Sequence, residues 1–237
     1  MKTNYIGYKL LSNFEKLSKT KLDNITLSNS NFAPSYNKYI SFGDSVHICL
    51  EKYNKSIKNK RRLNYKSIEE LLKSSWISIG YDSKEEELEF YKRAIEILKC
   101  YFSDRKDKEN RILFVEEKLT KVLPNSDIVL FGKPDKVYIN TDGQLEIVDY
   151  KTTNTISYHF NPLYDVQTLL YIILVKEKTG VYPSVISRYY LCNNIKVSYR
   201  LTEEDITLIK NYFSTVIPIV ESYYSNKSLN QLKVVND

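Results

Sequence analysis

The stretch Gly132-Lys133-Pro134-Asp135-Lys136-Val137-Tyr138-Ile139-Asn140-Thr141-Asp142-Gly143-Gln144-Leu145-Glu146-Ile147-Val148-Asp149-Tyr150-Lys151 decides the reading of this chain. Strand side chains alternate between faces, so Asp149 and Lys151 point the same way. Asp142-Gly143, between two β-rich runs, predicts a hairpin turn that folds Asp135 back toward Asp149. Two carboxylates and an ammonium then converge. A hard divalent cation takes oxygen ligands from one or two carboxylates plus phosphate. A lysine beside it orients or deprotonates an attacking water. The pattern points to metal-assisted phosphodiester hydrolysis. An isolated Asp-x-Lys pair is usually a solvated ion pair of little worth. Here Leu145 and Ile147 share the Asp149 face, and Val148 and Tyr150 occupy the other. The strand is apolar on both sides, as a central strand is. Charges at the end of such a strand need a partner or a metal.

Outward from this hairpin the pattern predicts strands over 112–119 and 128–139, besides 145–151. Upstream, helices are predicted over 43–58, carrying His47, over 67–76 and over 83–102. Ser67 with Glu70, and Ser83 with Glu86, have capping-box spacing. Downstream, Pro162 opens a helix to 176 that carries Gln167 and Tyr171. Strands 185–191 and 195–201 pair across Asn193-Asn194. Thr202 caps a last helix to about residue 224, with Glu203, Glu204 and Asp205 complementing its dipole. Residues 225–237 are expected to be a mobile tail. The order predicts an α/β (α+β) core, a mixed β-sheet flanked by helices. One domain, 1–237, would hold a helical amino-terminal elaboration (1–108) and a sheet core (109–224).

The 237 residues carry 35 Lys+Arg against 29 Asp+Glu, a formal net charge of +6 that suits a polyanionic partner. Within the basic stretch 55–66, Lys58, Lys60, Arg61 and Arg62 are candidates for tracking phosphates. The same stretch also reads as a solvated helix end and loop. The 21 tyrosines suit stacking on bases, or reflect composition alone. Three scattered cysteines predict a reducing compartment without a disulfide framework. No apolar run spans a bilayer and no signal-peptide core opens the chain, so a cytoplasmic protein is expected, or one beside nucleic acid in a phage-infected cell or organelle matrix.

Four blocks, in order, carry a family resemblance. They are Gly43-Asp44-Ser45-Val46-His47 followed by Leu50-Glu51, Gly132-x-x-Asp135, Ile147-Val148-Asp149-Tyr150-Lys151-Thr152, and Gln167-x-x-x-Tyr171. In these the chain resembles the PD-(D/E)XK nuclease superfamily, in its RecB-like, CRISPR-associated exonuclease-like branch. The resemblance implies a restriction-endonuclease-like core. It implies that His47, Asp135, Asp149 and the backbone carbonyl of Tyr150 are metal ligands, and that Lys151 is the catalytic lysine. It implies that Gln167 and Tyr171 face the site and contact DNA. Their i,i+4 spacing puts both on one helix face, which also suits ordinary packing. Glu116 matches the glutamate that relatives carry ahead of the Gly-x-x-Asp strand, in a catalytic or supporting role. Without the family, His47 reads as a structural histidine and Glu116 as part of a solvated strand face.

The resemblance further implies Mg²⁺ or Mn²⁺ as cofactor. Many RecB-like relatives hold an iron–sulfur cluster on four cysteines. Cys49, Cys100 and Cys192 cannot supply four thiolates, so no cluster is expected. The implied activity is that of a DNA exonuclease working at ends or on single strands, in repair, recombination or replication. The alternatives are a catalytically idle nucleic-acid-binding subunit and a structure-specific or CRISPR-type trimming endonuclease. No phosphate-binding Gly-x-x-x-x-Gly-Lys-Ser/Thr loop appears, so unwinding would fall to a helicase or recombination partner. No membrane partner is expected.

Overall fold

The computed structural model describes residues 4–8, 11–12, 36–60, 65–124 and 126–233, without the side chains of 65–67 and 225–233. In chain order its elements are β1 (Asn4–Ile6), α1 (Lys38–Lys58), α2 (Tyr65–Lys73), α3 (Lys84–Ser103), β2 (Glu109–Val115), β3 (Leu119–Val122), β4 (Ile128–Gly132), β5 (Lys136–Asn140) and β6 (Leu145–Lys151). A 3₁₀ turn at Pro162–Tyr164 precedes α4 (Val166–Thr179), β7 (Val185–Tyr190), β8 (Ile195–Arg200) and α5 (Glu203–Lys233). The expected mixed sheet is present, with strand order β2-β5-β6-β7-β8. Only β6 and β7 run parallel in it. A second sheet, β1-β4-β3, was not expected.

That second sheet corrects two expectations. The runs 112–119 and 128–139 are not single strands; each is cut in two. Pro134 has no N–H to continue a ladder. Opposite it, Glu116 adopts φ 48°, a conformation uncommon outside glycine. The two cuts meet, because the Glu116 N–H donates to the carbonyls of Pro134 and Asp135, both at 3.1 Å. One long hairpin is thus bent at a single level. Its inner half, β2 with β5, joins the large sheet, and its outer half, β3 with β4, joins β1.

Helix bounds differ where caps decide them. Asn37 accepts the N–H groups of Tyr39 and Ile40, so α1 begins at Lys38 and not at Gly43. The second helix spans Tyr65–Lys73, so Ser67 lies inside it and is not its cap. Ser83 caps α3 as expected, but Glu86 turns to the Asp82 N–H and to Lys38. Asp165, not Pro162, caps α4. Thr202 and Asp205 cap α5 reciprocally, and that helix continues past 224 to Lys233.

The large sheet has a core on each face. Leu145 and Ile147 of β6 pack with α4, α5 and the small sheet. Val148 and Tyr150 pack with the three helices α1–α3. Residue parity along β6 therefore holds as expected from its sequence. Gly143, at φ 76°, closes the β5–β6 turn, where the Asn140 N–H bonds the Gln144 carbonyl.

Candidate active site

The register Lys136↔Val148 sets the residue before β5 beside the carboxyl end of β6. The Tyr150 N–H accordingly donates to Asp135 Oδ2 at 2.7 Å. On the same edge, Lys151 Nζ lies 2.6 Å from Asp149 Oδ2. Helix α1 crosses this end closely: a Cβ on Gly43 would lie 3.2 Å from Thr152 Oγ1. One turn later His47 reaches over, with Nδ1 3.5 Å from Asp135 Oδ2. The bend at Glu116 turns that carboxylate inward. His47, Glu116 and Asp135 each present a ligand atom, and all three atoms lie within 4.8 Å of one another. Lys133 Nζ sits 2.8 Å from Glu116.

Carboxylates crowd here: Asp44, Glu51, Glu116, Asp135 and Asp149 line the cleft with His47, Lys133 and Lys151. Burial, and then the neighbouring Asp135, push the Glu116 carboxyl up to about 7 against the pull of Lys133. Burial and Asp135 likewise push Asp149 up to about 6, although Lys151 opposes this. Burial works against a charged His47, but Asp135, Asp149 and Glu116 overcome it and raise the imidazole to about 9. Burial also works against an ionised Asp135; His47 and the Tyr150 N–H outweigh it and hold that carboxyl below its ordinary value. Carboxylates crowded this way hold protons until a cation replaces them. Three carboxylates and an imidazole therefore fit a divalent cation as a donor set.

The structure brings His47, Glu116, Asp135, Asp149, Tyr150 and Lys151 to one open cleft of about 660 Å³. Tyr150 offers the cleft its backbone, since its side chain is buried on the opposite face. Gln167 also lines the cleft. Tyr171 does not. It is 7% exposed, takes a bond from Gln167 and donates to the Lys133 carbonyl at 3.0 Å, which anchors the segment leading to Asp135. Lys58 lies away from the site and donates to the Leu113 carbonyl at 2.6 Å. Lys60 is exposed. Arg61 and Arg62 fall outside the described residues. Cys49 is buried, Cys100 exposed, and Cys192 donates to the Thr152 carbonyl. Among the described residues no helix is long and apolar enough to cross a membrane.

Arg188 is a site neighbour that the sequence reading missed. It pairs with Asp165 at 2.5 Å, and its Nε lies 3.8 Å from Asp149. Its partner in the parallel register is Asp149 itself. A lone arginine in the apolar run of β7 was the available signal. Lys133 is a second such neighbour, overlooked between two motif residues.

The PD-(D/E)XK nuclease superfamily model matches residues 21–225 of the chain. Among curated proteins, no sequence match was found. Two solved structures are similar in part. A candidate exonuclease from Eubacterium rectale is 14% identical, with 91% of this chain and 81% of that one covered, at a TM-score of 0.42. The protein SSO0001 is 11% identical, with 88% and 84% covered, at a TM-score of 0.30. At these scores the likeness adds nothing to the family match.

Proposed function

The chain belongs to the PD-(D/E)XK nuclease superfamily, hydrolases of phosphodiester bonds that generally use divalent metals, and from that premise we propose that it is a Mg²⁺- or Mn²⁺-dependent deoxyribonuclease acting at DNA ends or on single strands. The observation that carries this reading is the meeting of His47, Glu116, Asp135, Asp149 and Lys151 in one cleft from four separate segments. An idle scaffold has no use for a cluster whose like charges cost stability.

His47, Glu116, Asp135 and Asp149 would hold the cation. A bound cation of this kind polarises a phosphate oxygen and acidifies a water. Lys151, part-exposed and bonded to Asp149, orients the attacking water and screens the charge that develops on phosphate. Tyr150, through its N–H, holds Asp135 in place. Gln167 presents an amide to the cleft wall, where it bonds sugar or phosphate. Tyr171 fixes the Lys133 carbonyl and through it the approach to Asp135.

The test is a set of end-labelled linear and circular DNAs, single- and double-stranded, each with EDTA, Mg²⁺ or Mn²⁺. Metal-dependent shortening of linear DNA with circles intact is the expected result. Cleavage of circles would replace the end-directed reading with the trimming-endonuclease one. No cleavage of any substrate would refute a nuclease.

A further inference from the structure

We propose that the catalytic cleft continues past Lys151 into a nucleotide subsite, formed by Tyr39, Arg93 and the 152–155 loop, that holds the unpaired nucleotide next to the scissile phosphate. This rests on the nuclease reading above and adds to it where the strand runs and in what state.

A second cavity of about 440 Å³ adjoins the cleft, within the size range of small-ligand pockets. Tyr39, Thr152 and Thr153 line both spaces, so the two adjoin. Phe42, Arg93, Asn154 and Thr155 complete the second one. Its lining includes Thr152, the residue after Lys151.

Charge separates the two spaces. The catalytic cleft is lined by Asp44, Glu51, Glu116, Asp135 and Asp149 against His47, Lys133 and Lys151. Among the described residues no carboxylate lines the second cavity, and Arg93 is its one charged side chain. The scissile phosphate can sit among acids only because a cation lies between them. The next phosphate has no such cover and meets more carboxylates than cations in that cleft. It is accepted where arginine stands alone.

Arg93 is prepared for this. Its guanidinium lies 5.2 Å over the Phe42 ring, and Nη2 donates to Asn154 Oδ1 at 2.6 Å and to Cys192 Sγ at 3.4 Å. Among the described residues no bond uses Nη1 or Nε, and a guanidinium has five donors in a fixed fork. Thr153, Asn154 and Thr155 are exposed and add hydroxyl and amide groups suited to phosphate. Tyr39 stands at the junction with 66% of its surface free. A base stacks on such a ring only if it is unpaired, so the strand here is single. Lys55 and Lys58 compete poorly for this part, because Lys55 is paired with Glu51 and Lys58 with a carbonyl.

The test uses Asp149→Ala protein, which spares the substrate, and anisotropy of fluorescein-labelled (dT)8. Adding Arg93→Gln should weaken binding about tenfold and flatten the salt slope by about 0.7. Asn154→Asp, which sets a carboxylate against the phosphate, should weaken it at least as much. Tyr39→Ala should weaken it about fivefold, with Tyr39→Phe unchanged. Binding of a blunt, fully paired hairpin should not respond to Tyr39→Ala. The melting curve should stay as in the parent, which excludes misfolding as the cause. Affinity for (dT)8 within twofold of the parent in both Arg93→Gln and Asn154→Asp would overturn the subsite and leave the nuclease reading standing. Wild-type protein inert on every DNA with Mg²⁺ or Mn²⁺ would remove the nuclease reading, and the subsite with it.

Discussion

Asp135 and Lys136 are neighbours in the chain, yet they serve two opposite electrostatic regions. Asp135 faces the cleft, where carboxylates outnumber cations and Glu116 and Asp149 are pushed up to about 7 and about 6. Lys136 faces a closed polar cluster behind the sheet. It is wholly buried and donates to Asp107 and Glu109, each at 2.9 Å. Asp107 also takes the hydroxyls of Tyr150, at 2.5 Å, and Tyr101, at 3.0 Å. One strand over, Glu146 is met by Lys196, Ser187 and Asn140. Burial opposes the charge of Glu146, but these partners outweigh it and hold the carboxyl below its usual value. Both regions are built from buried ions. In one, each charge has its partner and the result is structure; in the other, carboxylates are in excess, as a candidate cation site requires. Tyr150 belongs to both, with its N–H on Asp135 and its hydroxyl on Asp107.

If the contrast is right, substitutions in the two regions must fail in different ways. Asp149→Ala should lower cleavage by about 10⁴-fold while the melting temperature holds or rises, because a repelled carboxylate is gone. A large drop in melting temperature would mean that Asp149 is structural. Lys136→Met should do the reverse. It leaves buried Asp107 without a cation, while Glu109 keeps Arg105, and urea unfolding should show a loss of about 3–5 kcal/mol. A loss below about 1 kcal/mol would break the comparison.

Lys151→Ala should lower kcat about a hundredfold and leave Mn²⁺ affinity, read by titration calorimetry, nearly unchanged. Near-normal turnover would dismiss the lysine from the chemistry. The smallest effect concerns pH. Glu146 has a depressed folded pKa, so its stabilisation is present above the ordinary carboxylate range and is lost as pH falls through the folded value. Glu146→Gln should therefore be less stable than wild type at pH 7 and should lose less on acidification. Parallel stability–pH curves would show that Glu146 gains nothing from its partners.

What could be read from the chain alone was local. Alternation along 145–151 assigned Asp149 and Lys151 to one face and Tyr150 to the other, because strand parity is a backbone property. Asp142-Gly143 announced the turn that returns Asp135 to Asp149, since few residue pairs tolerate that backbone. Ser83 and Thr202 marked helix starts through their own side chains. The bend was not legible: Glu116 gave no sign of a left-handed backbone, and its partner carbonyls lie on another strand. The family resemblance alone tied His47 to Asp135, and no spacing placed Arg188 beside Asp149 or Arg93 beside the loop after Lys151. Those meetings depend on which faces of distant elements pack together, and side-chain periodicity records only that a face is buried, never against what. The sequence by itself determined the strand that carries Asp149 and Lys151, and its orientation. The tertiary structure alone decided which distant charges surround it, and so where charge is left unbalanced for a cation and where it is closed into the core.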